Sequence, residues 1–238
     1  MKLSVKGNDK KLAAEAATDY VKDGMTVGLG SGSTAEWMLK RLGALVKDGL
    51  NIKGIPTSVK TESLARKHGI PLTDFSKTAT VDLAIDGADE IDGQLNLLKG
   101  GGGSLVREKI IDAAAEKLII IADQSKMVQQ LGSFPLPIEV VPFGWEMTKK
   151  QIAAYGAEPK LRKEENRVFV SDNGNYILDC SFGKMVNPES LHDTLKSMAG
   201  VVETGLFIGM TDQAMIGQNG KVEMIGDTKK DDWWYWRE

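Results

Sequence analysis

The sequence predicts an α/β fold: a Rossmann-like, doubly wound and mainly parallel sheet, with a second, smaller α+β domain of ferredoxin-like type. Short apolar runs alternate with segments of helical pattern up to residue 131, which is typical of a parallel sheet covered on both faces. Three of the seven prolines fall in the segment 132–144, GSFPLPIEVVPFG, which is too rich in proline for a helix interior and marks a break. Beyond this break, helices alternate with hairpin strands, an order that favours a small α+β sandwich.

The first domain is expected to begin with a helix at about 9–22. The buried strand MTVGLG follows, and then a helix over STAEWMLKRLGALV, a strand over NIKGIPTS and a helix over VKTESLARKHG. VDLAID and EKLIIIAD are predicted to be further buried strands, because their apolar runs are short and continuous. Between them we expect a short strand in QLNLLKG and the helix SLVREKIIDAAAEK.

The second domain is expected to contain fewer and more irregular elements. The pattern predicts a helix near 146–155, strands around 157–163, 167–170 and 175–180, a helix at 188–198 and a strand in VVETGLF. AMIGQNGKVEMI then predicts a hairpin across Asn219-Gly220 that carries the chain back to the first domain. The expected division is therefore a Rossmann-like domain over 1–132 and about 206–228, a small α+β domain over 133–205, and an aromatic tail at 229–238.

Composition restricts the class of function. Apolar residues make up 42% and charged residues 26%, as in ordinary folded proteins, and the formal charge of −3 lacks the basic excess that nucleic-acid or membrane surfaces need. The single Cys180 with only two histidines cannot form a Cys/His zinc cluster, so we expect no metal and no other cofactor, and catalytic bases that are carboxylates. No signal sequence or membrane-length apolar stretch is evident, so a cytoplasmic location is expected.

The stretch GLGSGSTAEW is a candidate phosphate-binding loop. It places glycines on a strand-to-helix turn, followed by Ser33 and Thr34 at the start of the helix, so that free N–H groups, the helix dipole and two hydroxyls converge. Ser33 stands where the dinucleotide fingerprint needs its last glycine, and the GK[ST] of a P-loop is absent. A sugar phosphate fits better than NAD or ATP, and a tight turn without a ligand is the alternative.

The segment KGGGGSLVREK is a second glycine-rich loop followed by a predicted helix. Four glycines at 100–103 free the backbone to approach a ligand, and Ser104 is placed as an N-cap for the next helix. Lys99 leads into this loop, and Glu108 lies in the first turn of the helix or just past it. Taken alone, Glu108 is either a carboxylate that stabilises the helix dipole or a functional group at a ligand site.

Four carboxylates crowd into DGADEID, directly after the strand VDLAI. The carboxyl end of such a strand is where open α/β sheets place their ligands, so these residues are expected to border a cleft. Repulsion among them is expected to raise the pKa of some members, with Lys99 compensating part of the charge. A solvated acidic turn or a cation site is the alternative, although nothing else in the chain resembles a nucleoside-triphosphate site.

Together these motifs carry a resemblance to a known family. The set GLGSGSTA, DGADEID, KGGGGSLVREK and IADQSK, in this order and at these separations, resembles ribose-5-phosphate isomerase of the A type. The likeness extends through FPLPIEVVP, the DNGN turn and GVVETGLF, and stops before the tail. It implies a metal-free interconversion of ribose 5-phosphate and ribulose 5-phosphate, through an enediolate, in the non-oxidative pentose phosphate pathway.

The resemblance also implies roles for individual residues. Glu108 matches the base that moves a proton between C2 and C1, and Lys99 matches the lysine that stabilises the negative oxygen of the intermediate. Asp86 and Asp89 match the pair that helps to open the sugar ring and handles protons on its oxygens, with Glu90 and Asp92 in support. The implied substrate-binding residues are Ser31, Gly32, Ser33, Thr34, Gly87, Ala88, Gly100, Gly101, Gly102, Lys126 and Lys10.

Two other classes of function stay open at this point. Amino-sugar-phosphate deaminase-isomerases and sugar lactonases share sugar-phosphate loops, but they favour a histidine near the chemistry, and neither His68 nor His192 lies in a motif. A sugar-phosphate sensor should carry a DNA-binding helix-turn-helix, for which the residues ahead of the first helix leave no room. The family usually forms homodimers or homotetramers. The tail KKDDWWYWRE is either a disordered end or a subunit contact, since three of the five tryptophans lie in its last six residues.

Overall fold

The structure is a computed structural model that describes residues 5–226 of the chain. Its helices are α1 (Val5–Thr18), α2 (Ala35–Lys47), α3 (Val59–Lys67), α4 (Leu105–Ala114), α5 (Trp145–Ala153) and α6 (Pro188–Lys196), with a 3₁₀ turn at Gln124–Lys126. Its strands are β1 (Thr26–Leu29), β2 (Lys53–Pro56), β3 (Leu83–Asp86), β4 (Glu90–Ile91), β5 (Leu97–Leu98), β6 (Leu118–Asp123), β7 (Leu136–Val140), β8 (Glu158–Leu161), β9 (Lys163–Glu164), β10 (Arg167–Val168), β11 (Tyr176–Ser181), β12 (Val201–Thr204), β13 (Leu206–Phe207), β14 (Gln213–Gln218) and β15 (Lys221–Gly226). Within these residues no helix has both the length and the apolar character needed to cross a bilayer.

The predicted doubly wound sheet is confirmed. Six strands lie in the order β15-β14-β6-β3-β1-β2, and all neighbours are parallel except β14 and β15. β14 and β15 form the predicted hairpin across Asn219-Gly220, which returns the chain to this sheet. Because β2 and β3 lie on opposite sides of β1, the chain changes direction across the sheet at β1, and a crevice opens beyond the carboxyl ends of β1 and β3.

Apolar strands and small helix residues build the body around this sheet. β3 and β6 are buried along their whole length, as expected for strands covered on both faces. Helix α1 packs on β6 and β14 through fully buried alanines at positions 13, 14 and 17, whose small side chains allow close approach. The tightest point is Gly217, where a Cβ would overlap the backbone of Asp9.

The predicted ferredoxin-like part is also confirmed. Strands β7, β8, β11 and β12 form an antiparallel sheet in the order β12-β7-β11-β8, and the chain order of its elements is β7, α5, β8, β11, α6, β12. This βαββαβ arrangement encloses a second core, which includes Leu136, Ile138, Leu178 and Leu195. The domain boundaries expected from the sequence stay predictions.

The proline-rich segment contains a central strand that its composition did not predict. β7 lies between β11 and β12 although it includes Pro137, which has no N–H group to donate. Pairing between β12 and β7 ends at Thr204 opposite Ile138, so Pro137 lies beyond the last pair on that side. Its carbonyl still accepts a hydrogen bond from Gly205 N–H at 2.7 Å. The strand therefore loses no ladder bond to β12 at the proline.

Other elements differ from the prediction in extent or partners. The first helix was expected at about 9–22, but α1 ends at Thr18. The Thr18 hydroxyl donates a hydrogen bond to the carbonyl of Glu15 in the same helix. The chain then turns at Gly24, which has φ +85°. The strand in QLNLLKG is present as β5, but it pairs with β4 and β13 in a separate antiparallel sheet. The aromatic tail 229–238 lies outside the described residues, so neither of its interpretations is tested.

Candidate active site

A cleft opens at the carboxyl ends of β1 and β3, where the strand order changes direction. Three loops border it: the one between β1 and α2, the one after β3, and the glycine loop between β5 and α4. The residues that line it are Lys10, Ser31, Gly32, Ser33, Thr34, Gly87, Ala88, Asp89, Lys99, Gly100, Gly101, Gly102, Glu108 and Lys126. All of the site residues predicted from the sequence line the cleft except Asp86, which is fully buried directly behind the lining and contacts it.

Asp86 holds the first two loops together. Its Oδ1 accepts hydrogen bonds from the backbone N–H groups of Ser31 at 3.0 Å and Gly87 at 2.7 Å, which lie in different loops. Gly30 makes this contact possible, because a Cβ at that position would overlap the Asp86 carboxylate. The glycine is therefore needed for close approach between neighbouring strand ends.

A Gly30→Ala substitution is expected to lower both stability and turnover. The added methyl group would push the Asp86 carboxylate off its two amide donors, with a loss of about 1–3 kcal/mol of unfolding free energy, as for other overpacked sites. Thermal unfolding and steady-state turnover would measure the two effects. Gly93→Ala is the matched control, since a Cβ there meets nothing within 4 Å. Wild-type behaviour of Gly30→Ala would show that Asp86 does not need its present position.

The hydroxyl of Ser31 lies in a cluster that sequence analysis missed. It is 2.8 Å from each of three hydroxyl oxygens, those of Thr57, Ser58 and Thr61. Ser58 also caps α3, accepting from the N–H of Thr61 at 3.0 Å. These contacts fix the loop after β1 against the start of α3. Three hydroxyl residues within five positions, directly after the strand next to β1, were the signal that could have found the cluster.

The acidic stretch does not act as one cluster. Asp89 accepts a hydrogen bond from Gly101 N–H at 2.8 Å, which ties it to the glycine loop. Glu90 accepts two backbone N–H groups from the segment ahead of β7, and Asp92 caps the turn that leads into β5. In residues 5–226, no group of three or more His, Cys, Asp or Glu side chains is arranged to hold a metal ion. Each of these carboxylates therefore anchors a different part of the chain.

Lys99 is the centre of charge in the cleft. Its Nζ lies 3.0 Å from Oδ2 of Asp86 and 3.6 Å from Oε1 of Glu108, and it donates to the carbonyl of Gly87 at 2.5 Å. The side chain is only 2% exposed. Burial alone lowers the pKa of this ammonium, but the surrounding carboxylates outweigh that effect and raise it, so Lys99 stays charged.

Glu108 places a buried carboxyl group beside Lys99 in the cleft. It lies in the first turn of α4, is 6% exposed, and its Oε2 has no hydrogen-bond partner within the described residues. Burial raises the pKa of Glu108 to about 8, with Lys99 opposing this shift and the charges of Asp86 and Asp89 adding to it. A carboxyl group of this kind can take up and release a proton near neutral pH.

Asp112 is a second buried carboxyl group that sequence analysis missed. It lies one helical turn after Glu108, is 3% exposed, and neither of its oxygens has a hydrogen-bond partner in residues 5–226. Burial, reinforced by the charges of Asp86 and Glu108 and opposed by Lys99, raises the pKa of Asp112 well above its usual value. Asp112 is four residues from Glu108, so both lie on one face of the helix. This spacing could have identified Asp112 from the sequence.

The opposite part of the cleft is basic and rich in hydroxyl groups. Lys10 of α1 donates to the hydroxyl of Ser33 at 2.9 Å, and Lys126 lines the cleft just after β6. Thr34 precedes α2 but makes no side-chain hydrogen bond to the helix start. Two ammonium groups, a helix N-terminus and hydroxyl donors suit a small anion. The cleft therefore combines an anion-binding end with a proton-transfer end.

Comparisons with known proteins agree with these features. Residues 53–221 match the family model of ribose 5-phosphate isomerase A (phosphoriboisomerase A). Ribose-5-phosphate isomerase A 2 of Oceanobacillus iheyensis is 52% identical over 219 residues, which cover 92% of this chain and 98% of that relative. The structure of ribose 5-phosphate isomerase from Plasmodium falciparum is 40% identical, with a TM-score of 0.90, and covers 93% of this chain and 99% of its own.

A further solved structure is similar over most of the chain. It is a D-ribose-5-phosphate isomerase in complex with phospho-erythronic acid, 36% identical, with a TM-score of 0.89 over 92% of this chain and 98% of that one. The matches thus extend over most of the described residues and over nearly the whole length of the relatives. As its motifs predicted, the chain belongs to the ribose-5-phosphate isomerase A family.

Proposed function

We propose that this chain interconverts D-ribose 5-phosphate and D-ribulose 5-phosphate, with Glu108 as the base that carries a proton between C1 and C2. The observation that supports Glu108 is its buried carboxyl group, which lines the cleft with its Oε1 3.6 Å from Lys99 Nζ. Family membership supports the reaction. A proton on a carbon next to a carbonyl is weakly acidic, so its removal needs both a positioned base and a group that stabilises the resulting negative oxygen.

Lys99 is the oxygen stabiliser in this proposal. Removal of the carbon proton by Glu108 leaves an enediolate, whose negative charge develops on the oxygens at C1 and C2. The Lys99 ammonium is held in place by Asp86 and by the carbonyl of Gly87, so it need not reorganise as that charge appears. As the proton of the C2 hydroxyl passes to the oxygen at C1 and C2 becomes the carbonyl carbon, Glu108 returns its proton to C1, which completes the isomerisation.

The two aspartates take different parts in the proposal. Asp89 lines the cleft, so it is the carboxylate placed to exchange protons with the sugar oxygens and to help open the ring. Asp86 is fully buried and acts through Lys99 and the two loops that it joins. The phosphate is assigned to the basic end, with Ser33, Thr34, Lys10 and Lys126 as its partners.

Activity is expected to rise with pH through about pH 8. Glu108 accepts the carbon proton only when it is ionised, and burial raises its pKa to about 8, so at lower pH most molecules carry the inactive acid. The kcat/KM for ribose 5-phosphate should therefore fall about tenfold per pH unit well below that point. The second ionisation of the substrate phosphate occurs near pH 6, about two units lower, and therefore produces a separate step in the pH profile of kcat/KM. A flat profile between pH 6 and 9 would contradict the role of Glu108.

A direct assay tests the proposed reaction. Purified protein is incubated with ribose 5-phosphate in EDTA, ribulose 5-phosphate formation is followed, and unphosphorylated ribose serves as the control substrate. We expect turnover of the phosphate ester that EDTA does not reduce, and much slower conversion of ribose. Binding of ribose 5-phosphate without conversion would instead favour a sugar-phosphate sensor. The absence of a metal or other cofactor, the homodimer or homotetramer, the absence of nucleic-acid or membrane partners, and the cytoplasmic location stay predictions.

A further inference from the structure

Arg162 links the antiparallel sheet β12-β7-β11-β8, here called the small sheet, to the glycine loop that lines the cleft. Arg162 follows β8, and its Nη1 donates to the carbonyl oxygens of Gly100 at 2.9 Å and Gly101 at 3.2 Å. Both carbonyls belong to the glycine loop that lines the cleft. Arg162 does not line the cleft itself, so any effect on the reaction must pass through this loop.

The guanidinium group of Arg162 is firmly oriented. Asp179 of β11 accepts from its Nε at 2.9 Å and from its Nη2 at 2.5 Å, a two-point pairing that fixes the plane of the group. The centre of the Phe169 ring lies 5.7 Å from the guanidinium carbon of Arg162. The Arg162 side chain is 13% exposed. The same ring fills the space beside Gly103, where a Cβ would overlap it. The loop is thus held at two points, by Arg162 and by Phe169.

A single peptide unit connects Arg162 to Asp89. The carbonyl of Gly100 and the N–H of Gly101 belong to the same planar group and point in opposite directions. Arg162 donates to that carbonyl, while the N–H donates to Oδ2 of Asp89 at 2.8 Å. Because the unit is rigid, the arginine fixes the direction of the N–H, and it also polarises the peptide so that the N–H is a better donor.

We infer that Arg162 is a positioning residue for the isomerase reaction: it orients the peptide between Gly100 and Gly101, and through it the Asp89 carboxylate at the sugar. This inference rests on the proposed function, in which Asp89 handles protons on the sugar oxygens. Asp179 contributes by orienting Arg162. The small sheet therefore takes part in the chemistry of the cleft without touching substrate.

A double-mutant cycle tests the inference. Arg162→Met is expected to lower kcat by about tenfold to 10²-fold, in the range seen when a catalytic group is displaced, with little change in KM because the phosphate end is untouched. If the arginine acts through Asp89, adding Arg162→Met to Asp89→Ala should slow turnover by no more than about twofold further. Wild-type kcat in Arg162→Met, or losses that multiply in the double variant, would overturn the inference.

Two comparisons separate positioning from general stabilisation. Arg107 also lies close to the second domain: its guanidinium donates to Asp172 and Asn173 at 2.8 and 2.9 Å, and both partners lie outside the glycine loop. The fold-losses of Arg107→Met and Asp89→Ala should therefore multiply when the two are combined. If Arg162→Met does not fold, Asp179→Asn serves in its place. It should lower kcat by a smaller factor, and it should likewise slow the Asp89→Ala protein little further.

Wild-type turnover in Asp89→Ala would overturn the role proposed for Asp89 and this inference with it. An impaired Asp89→Ala with multiplied losses would overturn this inference alone.

Discussion

Glu108→Gln is expected to lower kcat for ribose 5-phosphate by about 10²–10⁴-fold, the usual contribution of a positioned general base. Glutamine has nearly the same shape as glutamate, but it cannot accept the carbon proton. The fold should survive, because the exchange removes a buried ionisable group whose pKa the site already raises. Steady-state kinetics with ribose 5-phosphate, circular dichroism and binding of phospho-erythronic acid would separate lost chemistry from lost structure.

The matched control for this variant is Glu146→Gln. Glu146 also lies in the first turn of a helix, α5, but it is exposed and belongs to the small domain. Glu146→Gln should keep wild-type turnover, because Glu146 does not line the cleft and its carboxylate is placed to interact favourably with the helix dipole. A folded Glu108→Gln protein with turnover within about tenfold of wild type would exclude Glu108 as the base, since even a weak general base contributes more.

Lys99→Met should damage both activity and stability. The substitution leaves the buried Asp86 carboxylate without its cation, and removal of one partner from a buried ion pair lowers the unfolding free energy by about 3–5 kcal/mol. It also removes the donor proposed for the enediolate oxygen, so kcat should fall by about 10²–10³-fold. Chemical denaturation and turnover measured well below the unfolding temperature would quantify the two losses separately.

A second buried lysine provides the control for Lys99→Met. Lys117 packs with its ammonium 4.9 Å from the ring of Tyr20, away from the cleft, so Lys117→Met should retain turnover. If Lys99→Met were as stable and as active as wild type, the charge balance proposed for the cleft would be wrong.

The sequence was informative wherever function lies at the end of an apolar run. The strands VDLAID and MTVGLG end at the cleft, so their following loops could be assigned to one edge of a sheet before the structure was known. The glycine loops were recognisable because their composition itself permits close backbone approach. The role of Glu108, in contrast, came from the family resemblance, since a glutamate in the first turn of a helix has an ordinary electrostatic explanation.

Other features depend on contacts between distant parts of the chain. The overlap that makes Gly30 necessary involves a residue 56 positions away, and Arg162 meets the glycine loop from another sheet altogether. The acidic stretch was predicted as a unit, yet Asp89 and Glu90, adjacent in sequence, bond to different segments because successive side chains point in opposite directions along an extended chain. Spacing in sequence carries no information about such partners.

Strands β14 and β15 join the six-stranded sheet only near residue 213, and this affects the order in which parts of the protein can fold during synthesis. Every residue that lines the cleft lies at or before position 126, but β14, the partner of one edge of β6, begins only at Gln213. While the ribosome synthesises the intervening segment, the apolar strand LIIIAD has an unpaired edge, the type of surface that invites aggregation. The ferredoxin-like part can fold during that interval, since its sheet is built from β7 to β12. Completion of the large sheet is thus postponed until residues 213–226 have been synthesised, when the β14–β15 hairpin covers the edge of β6.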